Sequence, residues 1–150
     1  MFYISSRLHR REILIARSTV YGQHNSIRLN RILVVKNGPS GKPLEFSFKT
    51  RDEIATIDEL GRVICNICNM VPGGVVIFFP SYAYEKKVYA HFDKTGVLAR
   101  ILKKKQIFRE PKKGSEMDKV LKDYARNACK QGAILLSVVG GKMSEGINFR

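Results

Sequence analysis

Gly132-Ala-Ile-Leu-Leu-Ser-Val-Val-Gly-Gly-Lys-Met-Ser-Glu-Gly-Ile-Asn-Phe149 is the stretch from which the fold can be read. Residues 133–139 form an almost wholly apolar run rich in branched side chains, with Gly132 before it and Gly140-Gly141 after it. A short apolar run of this kind suits a parallel strand covered on both faces. The chemistry then changes abruptly: Lys142, Ser144, Glu145, Gly146 and Asn148 follow within a few positions. Open α/β sheets bind ligands beyond the carboxyl ends of their strands, so a polar, glycine-punctuated loop directly after a buried strand is a candidate site.

Upstream, strands and helices alternate. Residues 31–35 read as a strand, and Asn37-Gly-Pro-Ser-Gly41 as a turn. Residues 44–48 alternate apolar and polar, which predicts another strand. Thr50 is the expected N-cap of a helix reaching about residue 70, with Asp52 and Glu53 near its positive end. Ile54, Ile57, Leu60, Val63, Ile64 and Ile67 recur at helical spacing and predict its core face. Pro72-Gly73-Gly74 stops that helix, and residues 75–79 are a second buried strand. Ser81 is placed to cap a helix over residues 82–94. A helical piece over 97–104, a short strand at 106–108 and a helix from Ser115 to about residue 130 complete the series. This order predicts an α/β fold with a parallel sheet and flanking helices.

The 150 residues suit one domain with its own core. Lys and Arg number 27 against 13 acidic residues, a formal net charge of +14 that points to a polyanionic partner. That partner is either nucleic acid or an anionic membrane surface; no apolar run reaches the length of a membrane span, and no membrane is expected among the partners. Three cysteines without a disulfide framework suit a reducing compartment. Residues 1–30 are a basic, unassigned segment, whose Leu8, Ile13, Leu14 and Ile15 suit a short helix or strand. Its Arg-rich, acid-poor composition is shared with mitochondrial transit peptides.

Several residues carry both a structural and a chemical reading. Ser81 and Tyr82 follow a buried strand, as cap and packing or as a phosphate and sugar contact. Lys103, Lys104, Lys105, Lys112 and Lys113 flank Phe108, as a solvated face or as phosphate-neutralising groups. Cys65-Asn-Ile-Cys68 has metal or redox spacing, but it lacks a second pair and falls inside a predicted helix. No metal site is expected from it. His9, His24 and His91 are scattered, and no Ser-His-Asp or Cys-His arrangement has useful spacing.

Residues 139–149, Val-Gly-Gly-Lys-Met-Ser-Glu-Gly-Ile-Asn-Phe, resemble motif V of the XPD-like iron–sulfur DNA helicases of superfamily 2. Residues 71–82, Val-Pro-Gly-Gly-Val-Val-Ile-Phe-Phe-Pro-Ser-Tyr, resemble the family's motif IV. Tyr89-Ala-His-Phe92 fits between them, and the likeness runs from about Arg31 to Phe149. Within the family it is nearest the DEAD/H-box branch associated with sister-chromatid cohesion, the ChlR type. The resemblance implies a RecA-like, P-loop NTPase-type fold over residues 31–150, a partial second motor domain stopping short of motif VI. It implies an ATP-dependent DNA helicase moving 5′ to 3′, with roles in DNA repair and cohesion and a nuclear location. It puts Ser81, Tyr82, Lys142 and Ser144 on the DNA side and Glu145, Gly146 and Asn148 at the nucleotide cleft. Many relatives have Asp where Asn148 stands; Asn keeps the oxygen and loses the charge.

Phosphoryl transfer also needs a G-x-x-x-x-G-K-[ST] loop and a magnesium-binding acid, and neither motif occurs in this sequence. No catalytic residue is therefore assigned, and the isolated chain is expected to be inactive. ATP and Mg2+ would be bound with the first motor domain, and single-stranded or forked DNA would be the substrate. The family's iron–sulfur cluster belongs to that other domain, not to Cys65 or Cys68. The alternative is a non-catalytic, basic nucleic-acid-binding module.

Overall fold

The computed structural model describes residues 2–5, 13–17 and 31–141. Its strands are β1 (Phe2–Ser5), β2 (Ile13–Arg17), β3 (Arg31–Val35), β4 (Gly74–Phe79), β5 (Gln106–Arg109) and β6 (Ala133–Val138). Its helices are α1 (Ile54–Met70), α2 (Tyr82–Lys94), α3 (Val97–Leu102) and α4 (Met117–Lys130). The strands form one sheet in the order β3-β2-β1-β4-β6-β5. β1, β4, β6 and β5 pair in parallel, and β2 joins β1 to β3 by antiparallel pairing. The described parts of residues 1–30 thus contribute two strands to this sheet, next to β4 and β3.

Helices cover both faces, which explains why β4 and β6 are apolar throughout. Val75, Ile77, Phe79, Ile134 and Leu136 point to one face and pack with Ile64, Val88 and Leu98 from α1, α2 and α3. Val76, Ala133 and Leu135 point to the other and pack with Tyr124 of α4, alongside Met117, Val120, Leu121 and Ala128. Removing one such branched side chain from water contributes about 1.5–3 kcal/mol. The register aligns Phe79 with Val138, so β4 and β6 end level.

The expected boundaries hold closely for α2, which the Ser81 side chain caps by accepting from the Tyr84 amide at 3.2 Å. Other expectations are corrected. Residues 44–48 are not a strand. Their one fully buried side chain is Leu44, whose amide donates to the Lys36 carbonyl at 2.8 Å beside an isolated Asn37–Pro43 bridge. The apolar-polar alternation there reflects Phe46, half-buried, and Phe48, exposed, with no strand among the described residues paired to them. Thr50 does not cap α1. Its hydroxyl donates to the Glu45 carbonyl at 2.7 Å in a tight turn, and α1 starts later, with Glu53 at its N-cap. Ile54, in the first helical turn, is exposed rather than in the core.

Glu59 of α1, 1% exposed, anchors the turn after β3. It accepts from the Ser40 amide at 2.6 Å and from Arg62 at 2.7 Å. Burial alone would push its carboxyl up; these hydrogen bonds outweigh it and hold the pKa below its ordinary value.

Gly132 links α4 to β6 with φ +90°, and a Cβ there would lie 2.7 Å from the Pro72 carbonyl oxygen. Gly96, between α2 and α3, has φ +74°, and a Cβ added to it would meet no atom within 4 Å. Gly96→Ala should therefore cost only left-handed strain, about 1–2 kcal/mol. Gly132→Ala should cost more, roughly 2–4 kcal/mol, because a backbone carbonyl must also shift. Urea denaturation of both variants checks this ranking; equal losses would contradict it.

Candidate functional site

The parallel pairing brings the carboxyl ends of β4, β6 and β5 to one edge. The Val139 amide donates to the Phe79 carbonyl at 2.9 Å, and the Glu110 amide to the Leu136 carbonyl at 2.9 Å. Each strand therefore releases its following residues at the same level: Pro80-Ser81-Tyr82 from β4, Glu110-Pro111 from β5, and Val139-Gly140-Gly141 from β6.

Glu110 joins the three. One carboxylate oxygen accepts from the Tyr82 hydroxyl at 2.5 Å. The other accepts from the Ser137 hydroxyl at 2.8 Å and the Val138 amide at 2.9 Å. Ser137 is completely buried, so its hydroxyl is satisfied by this carboxylate inside an otherwise apolar strand. Gly141 closes against the same group: a Cβ there would sit 2.5 Å from Glu110 Oε1 and 2.9 Å from the Tyr82 hydroxyl. Gly140 turns the chain with φ +73°. A glycine pair is thus required here by both conformation and close approach.

A second pair braces α2 against β5. The Arg109 guanidinium donates in bidentate fashion to Glu85, with both contacts at 2.8 Å, and lies 4.0 Å from the centre of the Tyr89 ring. Glu85 is buried, and its hydrogen bonds raise the Arg109 pKa further above the ordinary arginine value.

Of the sequence-predicted site residues, Tyr82 is brought beside Gly141 at this edge, and Ser81 precedes it at the start of α2. Tyr82 is 40% exposed, so its ring remains open to solvent while its hydroxyl is held. The Ser81 oxygen caps α2. Lys142, Ser144, Glu145, Gly146 and Asn148 lie outside the described residues. The lysine runs are separated by the strand between them. Lys103 to Lys105 precede β5, at the opposite edge, where buried Lys105 donates to the Gly73 carbonyl at 2.5 Å. Lys112 and Lys113 follow β5, on the site's edge, and are exposed.

Cys65 and Cys68 are buried in α1, where desolvation pushes the Cys68 thiol up to about 12 and Cys65 also upward. Neither is poised as a thiolate ligand. Among the described residues no group of three or more His, Cys, Asp or Glu could hold a metal ion. His91 contacts Asp58 at 2.6 Å and ties α2 to α1. Among the described residues no helix is long and apolar enough to cross a membrane.

Glu110, Glu85 and Arg109 were not singled out by sequence reasoning. The available signal was slight: an Arg-Glu pair closing a short strand just before Pro111.

A doubly covered parallel sheet with two motif-bearing segments meeting at its carboxyl edge defines a RecA-like α/β domain. The helicase C-terminal domain family matches residues 64–150, more than half of the sequence, and the chain belongs to that family. It is 54% identical to the ATP-dependent DNA helicase DDX11 of Danio rerio and 53% identical to that of Homo sapiens, each over 125 residues and 78% of this chain. It is 50% identical over 108 residues, 71% of the chain, to the ATP-dependent DNA helicase CHL1 of Scheffersomyces stipitis. The chain spans only 13–14% of the length of these relatives.

Glu110→Ala should remove the acceptor for the Ser137 hydroxyl and the Val138 amide and destabilise the domain by about 1–3 kcal/mol. Glu110→Gln, which keeps an acceptor oxygen, should cost less. Denaturant midpoints of the two variants test this; an unchanged midpoint for the alanine variant would show that the carboxylate does not hold the strand end.

Proposed function

We propose that this chain is part of the second motor domain of an ATP-dependent DNA helicase of the ChlR type. The observation that carries the reading is the meeting of Tyr82, Gly141 and the end of β6 at Glu110. Two segments some sixty positions apart, each resembling a helicase motif, leave the sheet together at the edge where α/β domains bind ligands. The similarity to helicases named DDX11 and CHL1 supports it independently.

In this reading Ser81 and Tyr82 contact single-stranded or forked DNA. The hydroxyl of Ser81 can donate to a phosphate while its oxygen caps α2, and the helix N-terminus adds favourable partial charge. Lys142 and Ser144 extend the DNA path, and Glu145, Gly146 and Asn148 face the nucleotide. ATP and Mg2+ lie between this domain and the first motor domain, which supplies the phosphate loop. An iron–sulfur cluster belongs to the first domain. Closure on ATP and reopening after hydrolysis move the protein 5′ to 3′ along one strand. The work of such an enzyme is DNA repair and sister-chromatid cohesion, in the nucleus.

In this reading the residues that follow β6 contribute to both ligand sites and so act as the coupling element, because coupling is a free energy shared between two sites. In a longer helicase containing this domain, Ser144→Ala or Glu145→Ala should lower DNA-stimulated ATPase and strand separation together, by about tenfold or more. Basal ATPase and DNA affinity should fall less. Steady-state ATPase and fluorescent unwinding assays test this. Wild-type stimulation and unwinding in both variants would reduce the loop to a connection.

A further inference from the structure

The turn that replaces the expected strand at residues 44–48 presents an aromatic ring to solvent. Phe48 is 81% exposed. A phenyl ring this exposed gains little from folding, yet the backbone carrying it is held firmly. The Ser47 and Thr50 hydroxyls lie 2.8 Å apart, the Thr50 hydroxyl donates to the Glu45 carbonyl, and the Arg51 amide donates to the Ser47 carbonyl at 2.9 Å. The turn is also bolted to α2. The Tyr84 hydroxyl donates to the Arg51 carbonyl at 2.8 Å, and Lys87 pairs with Asp52 at 2.6 Å.

The Arg51 guanidinium lies between two rings, 4.9 Å from the centre of Phe48 and 5.3 Å from that of Tyr84. Its Nε is buried without a hydrogen-bond acceptor, and the nearest Asp52 oxygen is 3.7 Å away. One face of Phe48 is therefore backed by a cation, and the ring remains largely open. Tyr84 is also the residue whose amide donates to Ser81, so this stack and the Ser81-Tyr82 segment share the first turn of α2.

We propose that Phe48 is a stacking platform for one unpaired base of single-stranded DNA, held in place by Arg51 and continuing the path that starts at Ser81 and Tyr82. The proposal rests on the DNA-facing assignment of that edge. A ring carried on a hydrogen-bonded turn stacks a base at reduced ordering cost, and any base serves because each has a π face. The exposed Lys49 beside it supplies charge for the adjoining phosphate.

The test uses the 150-residue chain at low salt with two fluorescein-labelled oligonucleotides, poly-dT and an abasic strand of equal length. A third strand carries 2-aminopurine. Wild-type protein should bind poly-dT about tenfold more tightly than the abasic strand and change the 2-aminopurine emission. Phe48→Ala should lose most of that preference and the emission change, while Phe48→Trp should keep both. Because Phe48 is exposed, thermal melting should match wild type for each variant. Normal DNA binding by Phe48→Ala, with the base preference intact, overturns the platform and leaves the DNA-facing reading standing. Absence of any DNA binding by wild-type protein overturns the DNA-facing reading itself, and the platform with it.

Discussion

The Glu110 carboxylate is the point on which the arrangement of the site depends. It accepts hydrogen bonds from a tyrosine leaving β4 and from a serine and an amide at the end of β6, while itself following directly on β5. A buried hydroxyl and amide require an acceptor, and an apolar strand end offers none. Placing a carboxylate there satisfies both and leaves its second oxygen for Tyr82. The outcome is geometric: the three outgoing segments keep fixed relative positions even though they belong to different crossovers. The parallel register of β4 with β6 and of β6 with β5 makes this possible by bringing their carboxyl ends together.

Around that point, α2 acts as the mechanical element. Its N-terminus carries Ser81, Tyr82 and Tyr84, its body is clamped to β5 by Glu85 and Arg109, and its last turns meet α1 through His91 and Asp58. The segment carrying Ser81 and Tyr82 is therefore the start of a helix tied to β5 and α1, not a loose loop. The turn bearing Phe48 is attached to the same helix through Tyr84 and Lys87. Such shared attachment is what a motor domain needs if one part of its surface grips a strand and another answers to nucleotide.

Much of this was legible in the residues. The apolar runs at 75–79 and 133–138 identified the central strands because both of their faces are covered, and Ser81 and Gly96 bracketed α2 through capping chemistry. The alternation at 44–48 misled because a period of two arises wherever one buried leucine is followed by aromatic residues of mixed exposure; a strand also needs a partner. The pairing of β1 with β4 is a long-range choice that local pattern cannot express. Glu110 was invisible for a different reason: a single acidic residue has no periodicity, and its role exists only once β4, β5 and β6 are side by side. The two lysine runs flank Phe108 in sequence, and local pattern cannot express that β5 carries the chain from one sheet edge to the other between them.

The central claim is that Tyr82 and the end of β6 act as one unit through Glu110. A double-mutant cycle measures this directly, with single-stranded DNA affinity determined for wild type, Tyr82→Phe, Glu110→Gln and the double variant. The account predicts non-additivity, with a coupling energy of about 0.5–3 kcal/mol, because the second substitution removes little that the first has left. Strictly additive losses would contradict it, showing that the effect of Tyr82 on affinity is independent of the carboxylate that joins it to the sheet.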